Sequence, residues 1–263
     1  MSYDPTKIVI GNLKMNGTLD FYSTHLESLK NSLDTFNTLL IGLCVPYPYL
    51  FKAEEILKGS NIGWGSQNVA KFKEGAYTGE VSIEMIRDFS STFVIIGHSE
   101  RNTAYCESNE NIADKFKITK DFKVTPILCV GETLIEREAG IMENVVESQL
   151  NVIIKKYGAK IFENTIIAYE PIWAIGSDMA ATPEQINKMC NFIRKKINNN
   201  LENPIKNLKI LYGGSVNTKN ALQLFALESL DGGLIGRASL NAEDFIEVCK
   251  AAKSAKNKNI NKK

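Results

Sequence analysis

No stretch of this sequence stays apolar for the roughly 20 residues that a membrane-spanning helix requires, so no such helix is expected. There is no excess of charge either. Lys and Arg total 31 against 30 Asp and Glu, a net charge of +1. No strong field therefore draws the chain toward nucleic acid or an anionic membrane, and neither is an expected partner. Local phosphate sites stay open, because backbone N–H groups bind anions without altering net charge. The five cysteines, Cys44, Cys106, Cys129, Cys190 and Cys249, are scattered, odd in number and form no C-x-x-C pair. That excludes a disulfide framework and reads as reduced thiols in a cytoplasmic protein. The opening residues Met1 to Pro5 carry no secretory signal pattern, which agrees. No low-complexity linker interrupts the chain. Only residues 254–263 are rich in lysine and asparagine without apolar periodicity, so a solvated tail is expected to follow a domain over 1–253.

What is present is ample for a core: 263 residues, 44% of them apolar. Eight short apolar runs recur: Ile8–Leu13, Leu39–Val45, Ile62–Ser66, Phe93–Ile96, Val124–Val130, Thr165–Tyr169, Lys209–Tyr212 and Gly233–Ile235. Most are near-continuous and not alternating, the mark of parallel strands buried on both faces. Helical spacing appears between them over Phe21–Ser32, Ile141–Tyr157 and Pro183–Asn198. Thr182, Pro183 and Glu184 suit an N-cap, a first-turn proline and a first-turn acid. The alternation predicts an α/β fold, a single-domain (β/α)8 barrel of eight parallel strands. An open doubly wound sheet shares the alternation. Eight units within one domain's length favour the barrel.

In a barrel, chemistry gathers at the C-terminal strand ends, so the residues after each run matter most. Run one leads into Gly11-Asn12-Leu13-Lys14-Met15-Asn16-Gly17, where Lys14 can neutralise an anion and Asn12 can donate a hydrogen bond. A lone lysine there is equally a surface residue. Run four leads into Gly97-His98-Ser99-Glu100-Arg101. His98 is one of two histidines; the other, His25, lies in a predicted helix. A helix starting at Ser99 disfavours the imidazolium, and a neutral imidazole can still donate. Run six leads into Glu170-Pro171-Ile172-Trp173-Ala174-Ile175-Gly176-Ser177, with a glutamate closing a buried strand. That placement is costly without a purpose, although a salt bridge at the rim would also account for it. The segment through Ala181 is rich in small residues and suits a lid. Runs seven and eight lead into Gly213-Gly214-Ser215 and Gly236-Arg237-Ala238-Ser239, where glycines let backbone N–H groups approach an oxyanion.

Together and in this order, these runs resemble the triosephosphate isomerase family over nearly the whole chain. Its Y-E-P-x-W-A-I-G signature is matched by Tyr169 to Gly176, G-N-x-K-M-N-G by Gly11 to Gly17, G-H-S-E-R by Gly97 to Arg101, and Y-G-G-S-V by Tyr212 to Val216. The resemblance implies an aldose–ketose isomerase interconverting D-glyceraldehyde 3-phosphate and dihydroxyacetone phosphate through an enediolate, in glycolysis and gluconeogenesis, with no metal and no cofactor. By the same mapping Glu170 is the base, His98 the electrophile, Lys14 the electrostatic stabiliser, and Asn12 a substrate-holding residue. Gly176, Ser215, Gly236 and Arg237 match the phosphate grip. Ser99 and Glu100 match supporting positions, with an ion pair between Glu100 and Lys14. Cys129 and Glu132, in Leu128-Cys129-Val130-Gly131-Glu132, match a pair behind the catalytic groups. Gln67 and the loop containing Thr78 and Glu80 resemble an interdigitating loop of a homodimer, in which Thr78 meets the neighbour's Asn12 and His98 and Glu80 meets its Arg101.

Three positions depart from the family pattern. Arg237 replaces the second glycine of G-G-A-S-L. With negative φ its N–H still serves phosphate while the side chain points away; with positive φ it is strained. Ser177-Asp178-Met179-Ala180 replaces T-G-K-T in the lid, and Asn102 stands where a second arginine is frequent. Two other readings compete: a barrel enzyme acting on a larger sugar phosphate, and a non-catalytic barrel. Both are disfavoured by the joint presence of Asn12, Lys14, His98 and Glu170.

Overall fold

The computed structural model describes residues 7–176, 180–199, 201–205 and 207–255. The lid residues Ser177, Asp178 and Met179, and residues 256–263 of the expected tail, lie outside this set. The strands are β1 (Lys7–Asn12), β2 (Leu39–Val45), β3 (Ile62–Ser66), β4 (Phe93–Ile96), β5 (Thr125–Val130), β6 (Thr165–Tyr169), β7 (Leu208–Tyr212) and β8 (Gly232–Ile235). All pairings are parallel, and β8 returns to β1 with Ile8 opposite Gly232, closing the barrel. The sequence reading placed each strand to within one residue at either end.

Ten α-helices lie among the described residues: α1 (Leu19–Leu33), α2 (Leu50–Leu57), α3 (Ile83–Asp88), α4 (Ser99–Tyr105), α5 (Asn109–Asp121), α6 (Leu134–Glu138), α7 (Met142–Tyr157), α8 (Pro183–Asn198), α9 (Ala221–Phe225) and α10 (Ala242–Ala255). Several begin on a side-chain cap. Thr18, Ser82 and Ser108 each accept an N–H from the first turn of α1, α3 and α5. Thr182 forms a reciprocal box with Gln185 ahead of Pro183 in α8. The last helix takes in Ser254 and Ala255, because Ala255 is buried in the same core as Val248 and Ala252.

Two cores explain why the strands read as unbroken apolar runs. Ile8, Ile10, Phe93, Ile95, Ile127, Cys129, Ile166, Ala168, Leu211 and Leu234 form one cluster inside the barrel. The alternate residues Val9, Val94, Ile96, Leu128, Val130, Ile167 and Tyr169 join the larger cluster beneath the helices. Strand side chains alternate with period two, so both faces are apolar and no polar stripe appears. The inward parity continues past the strand ends. After Ile8 and Ile10 comes Asn12; after Ile166 and Ala168 comes Glu170; after Leu211 comes Gly213; after Leu234 comes Gly236. The period that fills the barrel therefore aims these four positions at the centre of one rim.

Candidate active site

β6 delivers Glu170 inward at that rim, where the residue is 2% exposed. Its side chain lies against Gly213, at which a Cβ would fall 2.5 Å from Glu170 Cγ, so the Tyr212-Gly213-Gly214 run leaves room for the carboxylate. Oε1 is 3.3 Å from His98 Nε2. Burial raises the Glu170 pKa above its usual 4.5, opposed by His98, the Cys129 thiol, Lys14 and the Ser99 backbone. Cys129, an inward residue of β5, is itself held protonated by burial and by the Glu170 charge. A carboxylate so placed has a raised proton affinity.

His98 arrives differently. Gly97 adopts a left-handed φ of 70° after β4, and the chain turns there into α4. His98 is the N-cap of that helix: its Nδ1 accepts the N–H of Glu100 at 3.2 Å. A ring nitrogen that accepts carries no proton, which leaves Nε2 as the N–H of a neutral imidazole directed at Glu170. Lys14 has a left-handed φ of 53° and its backbone N–H donates to Asn12 Oδ1 at 3.1 Å. Left-handed backbone costs a non-glycine residue about 1–2 kcal/mol, and the Asn12 carbonyl offsets part of it. The Lys14 ammonium pairs with Glu100. Ser239 Oγ donates to Gly236 O at 2.7 Å and Ser239 also lies 3.2 Å from Asn12 O, tying the exits of β8 and β1 together.

Asn12, Lys14, His98, Glu170, Gly176, Ser215, Gly236 and Arg237 line a single cavity of about 460 Å³. The carboxylate, imidazole and ammonium share this lining with Ser215, Gly236, Arg237 and Gly176, and the Lys14 ammonium comes close to Gly236. Arg237 is absent from the left-handed residues, so glycine is not required there. Its side chain does not point away from the cavity, as expected for negative φ. It lines the cavity, and Nη2 donates to the Gly176 carbonyl at 2.7 Å.

Glu132 does not touch the catalytic groups. Fully buried, it accepts from Tyr169 Oη at 3.1 Å, Trp173 Nε1 at 3.0 Å and Arg137 Nη1 at 3.1 Å. It thus anchors the start of the segment following Glu170. Ser215 Oγ donates to Ala174 O at 2.8 Å, and the Ala181 N–H donates to Tyr212 Oη at 3.1 Å. Arg137 and Tyr212 carry these arrangements without having been assigned roles from sequence, and Gly213, expected to bring its N–H to an oxyanion, donates that N–H to Tyr169 O at 2.8 Å and instead leaves room for the Glu170 side chain. Only the buried strand-end position of the tyrosines hinted at a polar partner.

The residues expected in a dimer loop lie elsewhere in this chain. Gln67 and Arg101 line a second cavity of about 460 Å³ on the outer side of Lys14 and His98, with Met15, Tyr47 and Tyr105. Gln67 Nε2 donates to Cys44 O, and Arg101 lies 3.4 Å from Glu107. Thr78 and Glu80 are exposed on the loop between β3 and α3. Among the described residues, no group of three His, Cys, Asp or Glu side chains is placed to hold a metal, and no helix is long and apolar enough to cross a membrane.

A closed eight-stranded barrel with a buried carboxylate, an imidazole and an ammonium converging on one rim cavity defines the class, an α/β-barrel enzyme. A sequence model of the triosephosphate isomerase family matches residues 7–252. The triosephosphate isomerase of Nitrosomonas eutropha is 44% identical over 246 residues, covering 94% of this chain and 98% of that protein. That of Nitrosococcus oceani is 44% identical over 247 residues, covering 94% and 99%. The crystal structure of triosephosphate isomerase from Bartonella henselae superposes with a TM-score of 0.84 at 34% identity, covering 94% of this chain and 98% of that one. The chain belongs to the triosephosphate isomerase family and is an isomerase.

Proposed function

We propose that this enzyme interconverts D-glyceraldehyde 3-phosphate and dihydroxyacetone phosphate in glycolysis and, in the reverse sense, gluconeogenesis. The observation that carries the reading is the convergence of a raised-pKa carboxylate, a neutral imidazole N–H, an ammonium and a guanidinium on one cavity that Gly176, Ser215 and Gly236 also line. Glu170 takes the proton from the carbon beside the substrate carbonyl. The His98 Nε2–H donates to the carbonyl oxygen as negative charge develops there and then moves the proton between the two oxygens. Lys14 stabilises the enediolate, and Asn12 orients the substrate. Gly176, Ser215, Gly236 and Arg237 hold the phosphate. The segment 171–181 excludes water, which matters because a solvated enediol phosphate can lose its phosphate.

The active unit in this reading is a homodimer working in the cytoplasm. The exposed loop 71–80 of one protomer enters the cavity lined by Gln67, Arg101 and Tyr105 in the other. This brings Thr78 to the outer side of Asn12 and His98, and Glu80 to Arg101.

A coupled assay with D-glyceraldehyde 3-phosphate tests the chemistry. Glu170→Gln should lower kcat by roughly 10³-fold while leaving the fold intact, since a positioned base supplies about 10²–10⁴. Turnover near that of the unmodified enzyme would overturn the assignment of Glu170.

A further inference from the structure

The phosphate side of the cavity holds a charge that the backbone grip does not need. Arg237 follows β8 at the start of the short 3-10 turn Arg237–Leu240, and its guanidinium crosses to the Gly176 carbonyl at 2.7 Å. It makes no ion pair among the described residues. The other charged groups lining the cavity are Lys14, Glu170 and Asp244. Lys14 is already neutralised by Glu100. A Cβ at Gly236 would meet Lys14 Cε at 3.5 Å and Nζ at 3.9 Å, so the ammonium lies beside the Gly236 end of the grip.

We propose that the Arg237 side chain is a second cation of the phosphate site, a positioning residue that ties Gly176 across the cavity and attracts the dianion of the substrate. The proposal rests on the triose phosphate reading above. Gly176 has a left-handed φ of 65°, and a Cβ built there would find open space. The hydrogen bond from Arg237 holds the Gly176 carbonyl at the edge of the cavity. The guanidinium itself lies one hydrogen bond from that residue, well inside the screening length of about 10 Å at 0.1 M salt. Arg237 is exposed, so solvent weakens its field, yet a dianion at that range gains more from it than a phosphate-free substrate does.

The test compares Arg237→Met and Arg237→Lys with the unmodified enzyme, using D-glyceraldehyde 3-phosphate, phosphate-free D-glyceraldehyde, and inorganic phosphate as inhibitor. Arg237→Met should raise both KM for the phosphorylated substrate and the inhibition constant of phosphate by about three- to tenfold. KM should rise more than kcat falls. The loss with the phosphorylated substrate should exceed the loss with glyceraldehyde by at least threefold. Arg237→Lys should recover most of the phosphate affinity, and the gap between Met and Arg should narrow as salt rises. An inhibition constant within twofold of the unmodified enzyme, or equal losses with both substrates, would overturn the proposal. Failure of the underlying reading is separately visible, since the unmodified enzyme would then not isomerise the phosphorylated substrate at all.

Discussion

The Glu170 carboxyl, at 2% exposure, shows how far a single residue can be set against the fold that carries it. Burial raises its pKa above 4.5 despite help from His98, Cys129, Lys14 and Ser99. A carboxyl whose folded pKa exceeds its unfolded value favours folding when protonated. That contribution is present below about pH 4.5 and is lost as the pH rises through the folded value. At neutral pH the ionised base therefore destabilises the barrel. Glu170→Gln keeps the shape and removes the charge, so its Tm should exceed that of the unmodified enzyme at pH 7.5, and the difference should shrink toward zero near pH 4. For a chain of this size each kcal/mol corresponds to about 2–4 °C. The acid limb of kcat/KM in the unmodified enzyme should fall above the 4.5 of an exposed glutamate. A Glu170→Gln variant that melts below the unmodified enzyme at pH 7.5 would contradict the cost assigned to the buried charge.

Among the elements, the stretch from Glu170 to α8 is held by contacts that no local pattern announces. Trp173 reaches Glu132 across 41 residues, Ser215 reaches Ala174 across 41, and Arg237 reaches Gly176 across 61. The strands were legible because period-two burial on both faces leaves long apolar runs. The start of α8 was legible because Thr182, Pro183 and Glu184 act within one turn. Hydrogen bonds between strand exits depend on barrel closure, and a residue such as Tyr212 shows only an aromatic at a strand end. Ala181 is buried and its N–H has the Tyr212 hydroxyl as acceptor at 3.1 Å. In Tyr212→Phe that N–H loses its partner, a penalty of about 1–3 kcal/mol. Thermal unfolding should show a Tm lower by a few degrees, and steady-state kinetics a fall in kcat/KM, because the end of the segment loses its tether. Unchanged values in both assays would show that the bond contributes nothing.

At the scale of the whole molecule, eight repeats of strand and helix within 263 residues pointed to closure before any contact was known, and β8 beside β1 provides it. Of the residues assigned to the site, Asn12, Glu170 and Gly236 follow from inward parity at strand exits, whereas His98 and Lys14 depend on left-handed backbone at Gly97 and Lys14 that parity does not give. The surface outside Lys14 was legible only through the family's loop pattern, since composition and periodicity within one chain do not encode what a neighbour would cover. There Met15 is 94% exposed and Tyr105 69%, on either side of the second cavity. The loop at 71–80 is exposed and carries Phe72 and Tyr77 stacked with ring centroids 3.9 Å apart. Its base is closed by the Ala70 N–H donating to Val81 O at 2.8 Å, so its ends stay adjacent if the tip is removed. Replacing residues 72–79 by two glycines therefore tests assembly with little strain on the barrel. The unmodified chain should sediment at twice 29.3 kDa at micromolar concentration, and the shortened chain at 29.3 kDa. The shortened form should also lose at least about tenfold in kcat/KM. Lys14, held in a left-handed backbone, and His98 would then face water on the side the loop is proposed to cover, and charge stabilisation weakens where water enters. A shortened chain that still sediments as a dimer would place the interface elsewhere, and an unmodified chain that sediments as a monomer would remove the homodimer altogether.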